Sequence, residues 1–274
     1  MVTGIDHLVI AVPDLDSAAQ ELEQGIGLAV TGGGRHADAG TANRIAFLAD
    51  GSYLELIAVE DADAASARPL GAAVIRALEE HGAGLVSFAL VDDHLEATVP
   101  ELQANGSSIG PVQHGTRLRP DGELVEWWSA FPESIGTDGL PFLIRHAYTG
   151  EEWGPAAMEA RQAFVHPIGS PVVLARIDVA TPDPQDLAAR YARELALEFW
   201  AVLDLAVCNV GRHVIRLVPT VWLFGHASES TARRFHDISG WPMIAVAFMM
   251  LMGVIRVLEW FKVPVMRRRV AKTV

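Results

Sequence analysis

The same order of local signals occurs twice along this chain, and that repetition limits the fold more than any single motif does. Residues 4–12 are rich in β-branched side chains and stop at Pro13-Asp14, as a strand does on entering a turn. Asp14 or Asp16 can cap a helix over 17–24, which Gly25 and Gly27 end. A short strand at 28–31, a loop at 32–36, and strands at 41–48 and 53–59 joined by Asp50-Gly51 complete a β-α-β-β-β unit. A helix over 72–81 leads to the second copy. Residues 84–93 match the first strand, with Val91 standing where Val12 stands, an offset of 79. A helix over 95–104 ends at Asn105-Gly106, and strands follow at 108–113, 123–131 and 140–147. Repeated supersecondary units of this kind bury their apolar faces against one another.

After a connector at 148–170 the pattern begins a third time, with a strand ending at Thr181-Pro182-Asp183 and a helix from 184 to 195. No further strands are expected, because the sequence then turns strongly apolar. The reading is an α+β chain with modules at about 4–60 and 84–148, a partial third repeat at 171–195, and a helical tail over 196–274.

Charge divides at the same place. Residues 1–195 hold 11 Arg, no Lys and 29 acids, whereas 196–274 hold ten bases against five acids. The acidic part has nothing with which to neutralise a phosphate backbone, so nucleic acid is an unsuitable partner. Cys208 is the sole cysteine, which excludes an internal disulfide and a thiolate zinc cluster. The start lacks the basic and apolar regions of a secretory signal, so the first domain is expected in the cytoplasm. Residues 238–255 are 18 in a row without a charge, close to the roughly 20 needed to cross a bilayer. Trp241 and Trp260 flank them, and Arg267-Arg268-Arg269 follow, which predicts an inner-membrane anchor with a cytoplasmic end. A poorer second crossing spans 197–225, where Asp204, Cys208 and Arg212 would share a helix face. Gly32-Gly33-Gly34 is no phosphate loop, since no Lys followed by Ser or Thr comes after it.

Three runs carry a resemblance: His7-Leu8-Val9-Ile10-Ala11-Val12-Pro13-Asp14-Leu15, then Gly40-Thr41-Ala42-Asn43, then Gly51-Ser52-Tyr53-Leu54-Glu55-Leu56. With Trp127, Phe131-Pro132 and His166-Pro167, they resemble the glyoxalase-like, or vicinal oxygen chelate, superfamily over residues 4–195. The resemblance implies paired βαβββ modules forming a cupped sheet around a ligand or a divalent metal. It implies a metal-assisted lyase, isomerase or dioxygenase acting on a small oxygenated substrate, in which the metal polarises the substrate while a proton moves. His7 and Glu55 match the first-strand and last-strand ligands of one module, and Glu55 or a neighbour would move the proton. In the second module Val86 stands at the position of His7, and Ile144 near that of Glu55, so the ligand set is incomplete. His36, His146 or His166 would then supply a further ligand, or Arg145 would hold an anionic substrate without metal. A metal-free binding protein of the same fold is the alternative. The expected partners are the small molecule, the membrane, and a second copy of the chain in a homodimer.

Residues 205–265 resemble the end of an exosortase, a membrane transpeptidase. Arg216 and His236 match that family's catalytic Arg and His. Cys208 lies too close to Arg216 to be its cysteine, and His213 stands where an Asn is expected. This second resemblance implies a truncated, inactive membrane piece joined to the first domain, either as a genuine fusion or as a chimera.

Overall fold

The computed structural model describes residues 2–119, 122–136, 139–149, 153–169, 171–220, 244–250 and 253–256. The first module runs β1 (Gly4–Ala11), α1 (Leu15–Ile26), β2 (Thr31–His36), β3 (Thr41–Phe47) and β4 (Tyr53–Val59). The helices α2 (Ala62–Ser66) and α3 (Pro69–His81) link it to the second. That module has β5 (Gly84–Val91), α4 (Leu95–Ala104), β6 (Gln113–Leu118), β7 (Leu124–Ala130) and β8 (Phe142–His146). In both, the first and last strands pair in parallel, β1 with β4 and β5 with β8. The modules join through antiparallel β1 and β5 on one side and through β2 and β6 on the other. The expected cup is therefore a closed eight-stranded barrel.

Local chemistry explains the boundaries. Asp14 accepts the Ser17 N–H at 2.7 Å to start α1, and Gly27 ends it at φ 73°. The stretch expected as a glycine loop is strand β2 instead. A Cβ on Gly33 would fall 2.0 Å from the Asn43 carbonyl oxygen, so glycine lets β2 press against β3. Inside the barrel, α3 packs Ala73, Val74 and Ala77 against Val9, Ala11 and Ile57 and closes part of the interior.

The largest correction concerns residues beyond 171. After α5 (Pro155–Gln162) come β9 (Val172–Thr181), α6 (Pro184–Leu195), β10 (Trp200–Val202), β11 (Leu205–Val210) and β12 (His213–Pro219). The third module is complete: β12 lies parallel to β9 as β4 lies to β1. The helix expected over 197–225 is absent from 200–219, because the apolar residues alternate with period two and two-residue turns interrupt them. Leu203 and Gly211 take positive φ at those turns. Asp204 and Arg212 sit in the turns and Cys208 on β11, so the three share no helix face.

Within the expected crossing at 238–255, residues Ile244–Met250 (β13) and Gly253–Arg256 (β14) are strands. The strand β13 lies antiparallel beside β9, where β5 lies beside β1. Among the described residues no helix is long and apolar enough to cross a membrane. Trp241, Trp260 and the basic run 267–269 lie outside the described residues.

One apolar core joins the third module to the outside of the barrel, with Leu8, Ile10, Leu54 and Phe88 in the same cluster as Leu174, Ile177, Ile215 and Leu217. Polar latches fix the seam. The Glu194 carboxylate accepts the Ser108 N–H at 2.6 Å. His213 Nδ1 accepts the Ile5 N–H at 3.1 Å, and its Nε2 meets Asp50 at 2.8 Å. The buried Tyr191 hydroxyl donates to the Gly139 carbonyl at 2.5 Å. Tyr191→Phe strands that carbonyl and should cost about 1–2 kcal/mol, read as a lower urea midpoint at unchanged slope. An unchanged midpoint would show that this latch contributes nothing.

Candidate functional site

The open part of the barrel interior is a cavity of about 130 Å³. Its chemistry is concentrated on the first module. His7 on β1 is paired with Tyr53 on β4 in the parallel register, and Glu55 lies two residues further along β4, so it faces the same side. His7 stacks on Tyr53 with ring centres 4.6 Å apart and planes 15° from parallel. His7 Nε2 stands 3.4 Å from Glu55 Oε2. The other ring nitrogen, Nδ1, is 2.6 Å from Asp6 Oδ2.

Asp6 reaches this position through a register shift. The pairing of β1 with β5 steps from Ile5 to His7 while β5 advances by one residue. Asp6 is the extra residue, and a bulge of this kind re-aims a side chain. Its carboxylate also meets His146 Nε2 at 3.1 Å, from β8 on the far side of β5. Asn43 on β3 completes the group. Its Nδ2 donates to Glu55 Oε1 at 2.6 Å, while its Oδ1 accepts the Gly34 N–H at 3.0 Å, which fixes the orientation of the amide. The sequence expectations did not include Asp6 and Asn43. Their signals were present: Asp6 adjoins His7, and Asn43 lies within the Gly40-Thr41-Ala42-Asn43 motif.

The electrostatics follow from this packing. Burial opposes charge on His7, but its hydrogen bonds to Asp6 and Glu55, and their negative charges, outweigh it and raise its pKa to about 9. Burial likewise opposes ionisation of Glu55. Its hydrogen bond to His7, the charges of His7 and His36 and the Asn43 amide prevail and pull it down to about 2. Asp6 is held far below the usual carboxylate range, because His146 and His7 overcome its burial. At neutral pH an imidazolium thus lies between two carboxylates. His36, at the end of β2, is different. Burial drives its pKa down to about 4, with Glu55 opposing and Arg117 and His7 assisting. Its Nδ1 is 2.9 Å from the Thr41 hydroxyl.

The remaining expected residues divide. His146 lines the cavity with Phe142 and Ile144, its neighbours on β8. Arg145 does not line it. Strand alternation turns its side chain outward, where it pairs with Glu96 and lies 4.0 Å over the Trp128 ring. His166 is structural: Nδ1 accepts the Ala29 N–H at 3.1 Å, so Nε2–H donates to the Phe47 carbonyl at 2.8 Å. Arg216, expected as a transpeptidase residue, is instead a strand residue of the third module on β12. It donates two bonds of 2.7 Å to Asp178 on the neighbouring strand β9. His236 lies outside the described residues.

The donors do not assemble a metal centre as they stand. Ligands around one tetrahedral divalent ion at bonds of roughly 2 Å lie about 3.3 Å from one another. His7 Nε2 and Glu55 Oε2, 3.4 Å apart, have that spacing, but His36 Nε2 is 3.9 Å from Glu55 Oε1. In the second module, Val86 is buried apolar, and the Ser87 hydroxyl is turned to the Leu140 carbonyl. Among the described residues no group of three or more His, Cys, Asp or Glu is placed to hold a metal ion.

Comparison with known proteins supports this architecture. A structure of a hypothetical protein from Staphylococcus aureus is 15% identical, with 78% of this chain and 85% of that one covered and a TM-score of 0.63. A variant of 4-hydroxymandelate synthase from Streptomyces coelicolor is 13% identical over 91% of this chain and 72% of its own, with a TM-score of 0.55. Methylmalonyl-CoA epimerase from Mycobacterium tuberculosis is 21% identical over 52% of this chain and 87% of its own, with a TM-score of 0.40. No curated protein matches. At these identities the first two structures share the fold with this chain and nothing finer. The glyoxalase-like domain model matches residues 5–195, most of the chain, and the protein belongs to that family.

Proposed function

We propose that the barrel is an acid–base site for an isomerase or lyase acting on a small carbonyl compound. The observation that carries this reading is the buried pair of opposite charge, His7 Nε2 and Glu55 Oε2, 3.4 Å apart on the cavity wall. A carboxylate and an imidazolium side by side can remove a proton from a carbon and give one to the adjacent oxygen. Glu55 takes the proton next to the carbonyl as that C–H bond breaks. The electron pair moves into a carbon–carbon double bond, and the carbonyl oxygen receives the His7 Nε2 proton. Asp6 keeps Nδ1–H in place, so the neutral imidazole left behind has one defined tautomer. Return of the proton on the other face, or at the other carbon, gives isomerisation; loss of a β-substituent gives elimination.

The cavity supports a substrate of modest size. Its volume is comparable to the roughly 150 Å³ that accepts a benzene ring. Ile45, Phe47, Val125, Trp127 and Phe142 form apolar walls that exclude water from the pair.

A second reading places a divalent ion beside His7 and Glu55, as the family resemblance implies. One observation favours it: carboxylates orient metal-bound imidazoles as Asp6 orients His7. It requires His36 to move toward Glu55. Metal analysis of the purified chain separates the two. The acid–base reading predicts activity that survives a chelator, whereas stoichiometric metal lost in His7→Ala would establish the second.

Exchange of carbon-bound protons in D2O, followed by NMR over a panel of small 2-oxo acids and α-hydroxy ketones, tests the reaction. Glu55→Gln should slow exchange by about 10²–10⁴-fold, and exchange at the wild-type rate in that variant would overturn the assignment. The pH profile has a definite sign. His7 has a raised pKa, so its protonated form is lost as pH rises through about 9. Glu55 has a lowered one, so its carboxylate is lost only as pH falls toward about 2. The profile of kcat/KM should be level across neutral pH and fall on the alkaline side near 9. A fall near 6.5 would mean that the two carboxylates do not hold His7 charged.

A further inference from the structure

The eight strands of the barrel set two unlike walls against each other. Counted round the closed order, β7 stands four strands from β4 in either direction, and β8 stands four from β3. Glu55 on β4 and Asn43 on β3 therefore face Trp127 on β7 and Phe142 on β8 across the interior, and all four line the cavity. His36 brings the two walls to one level. Its Nε2 stands 3.9 Å from Glu55 Oε1, and its ring lies 5.5 Å from the Trp127 ring in a T-shaped contact at 73°. The Phe142 ring meets His7 in the same manner at 5.6 Å. An aromatic ring thus borders each member of the His7–Glu55 pair, Phe142 directly and Trp127 through His36.

The indole of Trp127 is held in a defined place. Its cross-strand partner on β6 is Gly115. A Cβ at Gly115 would lie 2.5 Å from indole Cε2 and Nε1, so the ring occupies the space that any other residue there would need. Other rings of the cavity are already engaged: Tyr53 is stacked on His7, Phe142 is stacked on Phe131, and Phe47 lies under the Arg161 guanidinium. Among the described residues Trp127 has the T-shaped contact with His36 and no stacked partner. It is half-buried, whereas Val125 and Phe142 beside it are buried, so part of the indole remains open. A fixed ring that lines a cavity and keeps an open face is suited to a second ring.

We propose that Trp127 is the platform on which an aromatic ring of the substrate stacks, so that the substrate is an aryl carbonyl compound. Stacked rings gain from their complementary quadrupoles beyond the area they bury, and a saturated ring of the same size does not. The cavity, about 130 Å³, is near the roughly 150 Å³ that accepts benzene. It shares Ile45 and Phe47 with an adjoining groove, which leaves room for the rest of the molecule. A ring on Trp127 turns the carbonyl and its neighbouring carbon toward the opposite wall, where Glu55 and His7 stand. This rests on the acid–base reading for the position of the carbonyl; the platform itself stands on Trp127, Gly115 and His36.

The test is binding of three neutral ketones to the full chain, measured by calorimetry and saturation-transfer NMR. The probes are acetophenone, cyclohexyl methyl ketone and butanone. Acetophenone is expected to bind saturably and about three- to tenfold tighter than cyclohexyl methyl ketone, with butanone weaker than either. Trp127→Leu, apolar but without a ring, should bring the two cyclic ketones within about twofold of each other, and Trp127→Phe should keep part of the preference. Gly115→Ala, which displaces the indole, should weaken acetophenone binding by about threefold or more without altering the circular dichroism. The inference is overturned if acetophenone does not saturate, if the wild-type chain binds the two cyclic ketones within about twofold, or if Trp127→Leu keeps the wild-type preference. The wild-type comparison decides the matter even where a variant fails to fold. Glu55→Gln should retain the preference, because it alters the opposite wall. Ring preference with no proton exchange on any carbonyl compound would sink the acid–base reading alone, and exchange without ring preference would sink this inference alone.

Discussion

An imidazolium held between two carboxylates inside a barrel is the constraint on which the rest of this structure depends. Desolvating three charges is expensive, and a buried pair recovers that cost only when geometry and further hydrogen bonds are supplied. Each neighbour of His7 meets that demand. Asp6 takes Nδ1, Glu55 faces Nε2, Asn43 occupies the second oxygen of Glu55, and the Gly34 N–H keeps Asn43 from turning over. The demand extends to the backbone. Asp6 can join only because β1 is out of step with β5 at that residue, and β2 approaches Asn43 only because Gly33 has no side chain. A chain of interactions that costs this much is hard to account for as packing, and buried groups perturbed in this way cluster at functional sites, which is the support for the acid–base role proposed for its cavity-facing members.

The two modules of the barrel share a backbone plan and differ in what they contribute. The first supplies His7, His36, Asn43 and Glu55. The second supplies Val125, Trp127, Phe142 and Ile144 as walls, with His146 tied to Asp6. Duplication gives a symmetric cradle, and only one half needs to carry the reacting groups. This division accounts for the incomplete ligand pattern that the sequence shows at Val86 and Ile144. A barrel with donors from both halves would surround an ion, whereas donors from one half present a face to a substrate.

How far the sequence could be read depended on the range of the interaction. The β-α-β-β-β order of both modules was visible because strand alternation, helix caps and turn glycines are local signals. His7 and Glu55 were visible because each belongs to a short motif. Arg145 was misplaced for a simple reason: one residue along a strand reverses the side it faces, and the register that settles this belongs to the neighbouring strands. Asp6 depended on a bulge, which the sequence does not mark. The placing of Arg161 on α5 over the Phe47 ring is a contact 114 residues apart in the chain, with no local signal.

The third module shows the same limit from the other side. Its apolar strands suggested a membrane helix because length and hydrophobicity do not distinguish a buried strand from a buried helix. The hairpin turns at Leu203-Asp204 and Gly211-Arg212 decide the matter, since a helix cannot accommodate both. Once it is a module, it can be aligned with the first through the caps Asp14 and Asp183. Arg176 then takes the place of His7, Asp178 that of Val9, and Arg216, paired with Asp178 across the strands, that of Glu55. The same positions on the same scaffold hold an Arg–Asp–Arg cluster closed on itself, with Asp178 accepting from both arginines. In that place the fold buries a carboxylate by satisfying it. In the barrel it buries one beside a proton donor and leaves room for a third party, and that space, rather than the fold, makes the difference between a core and a site.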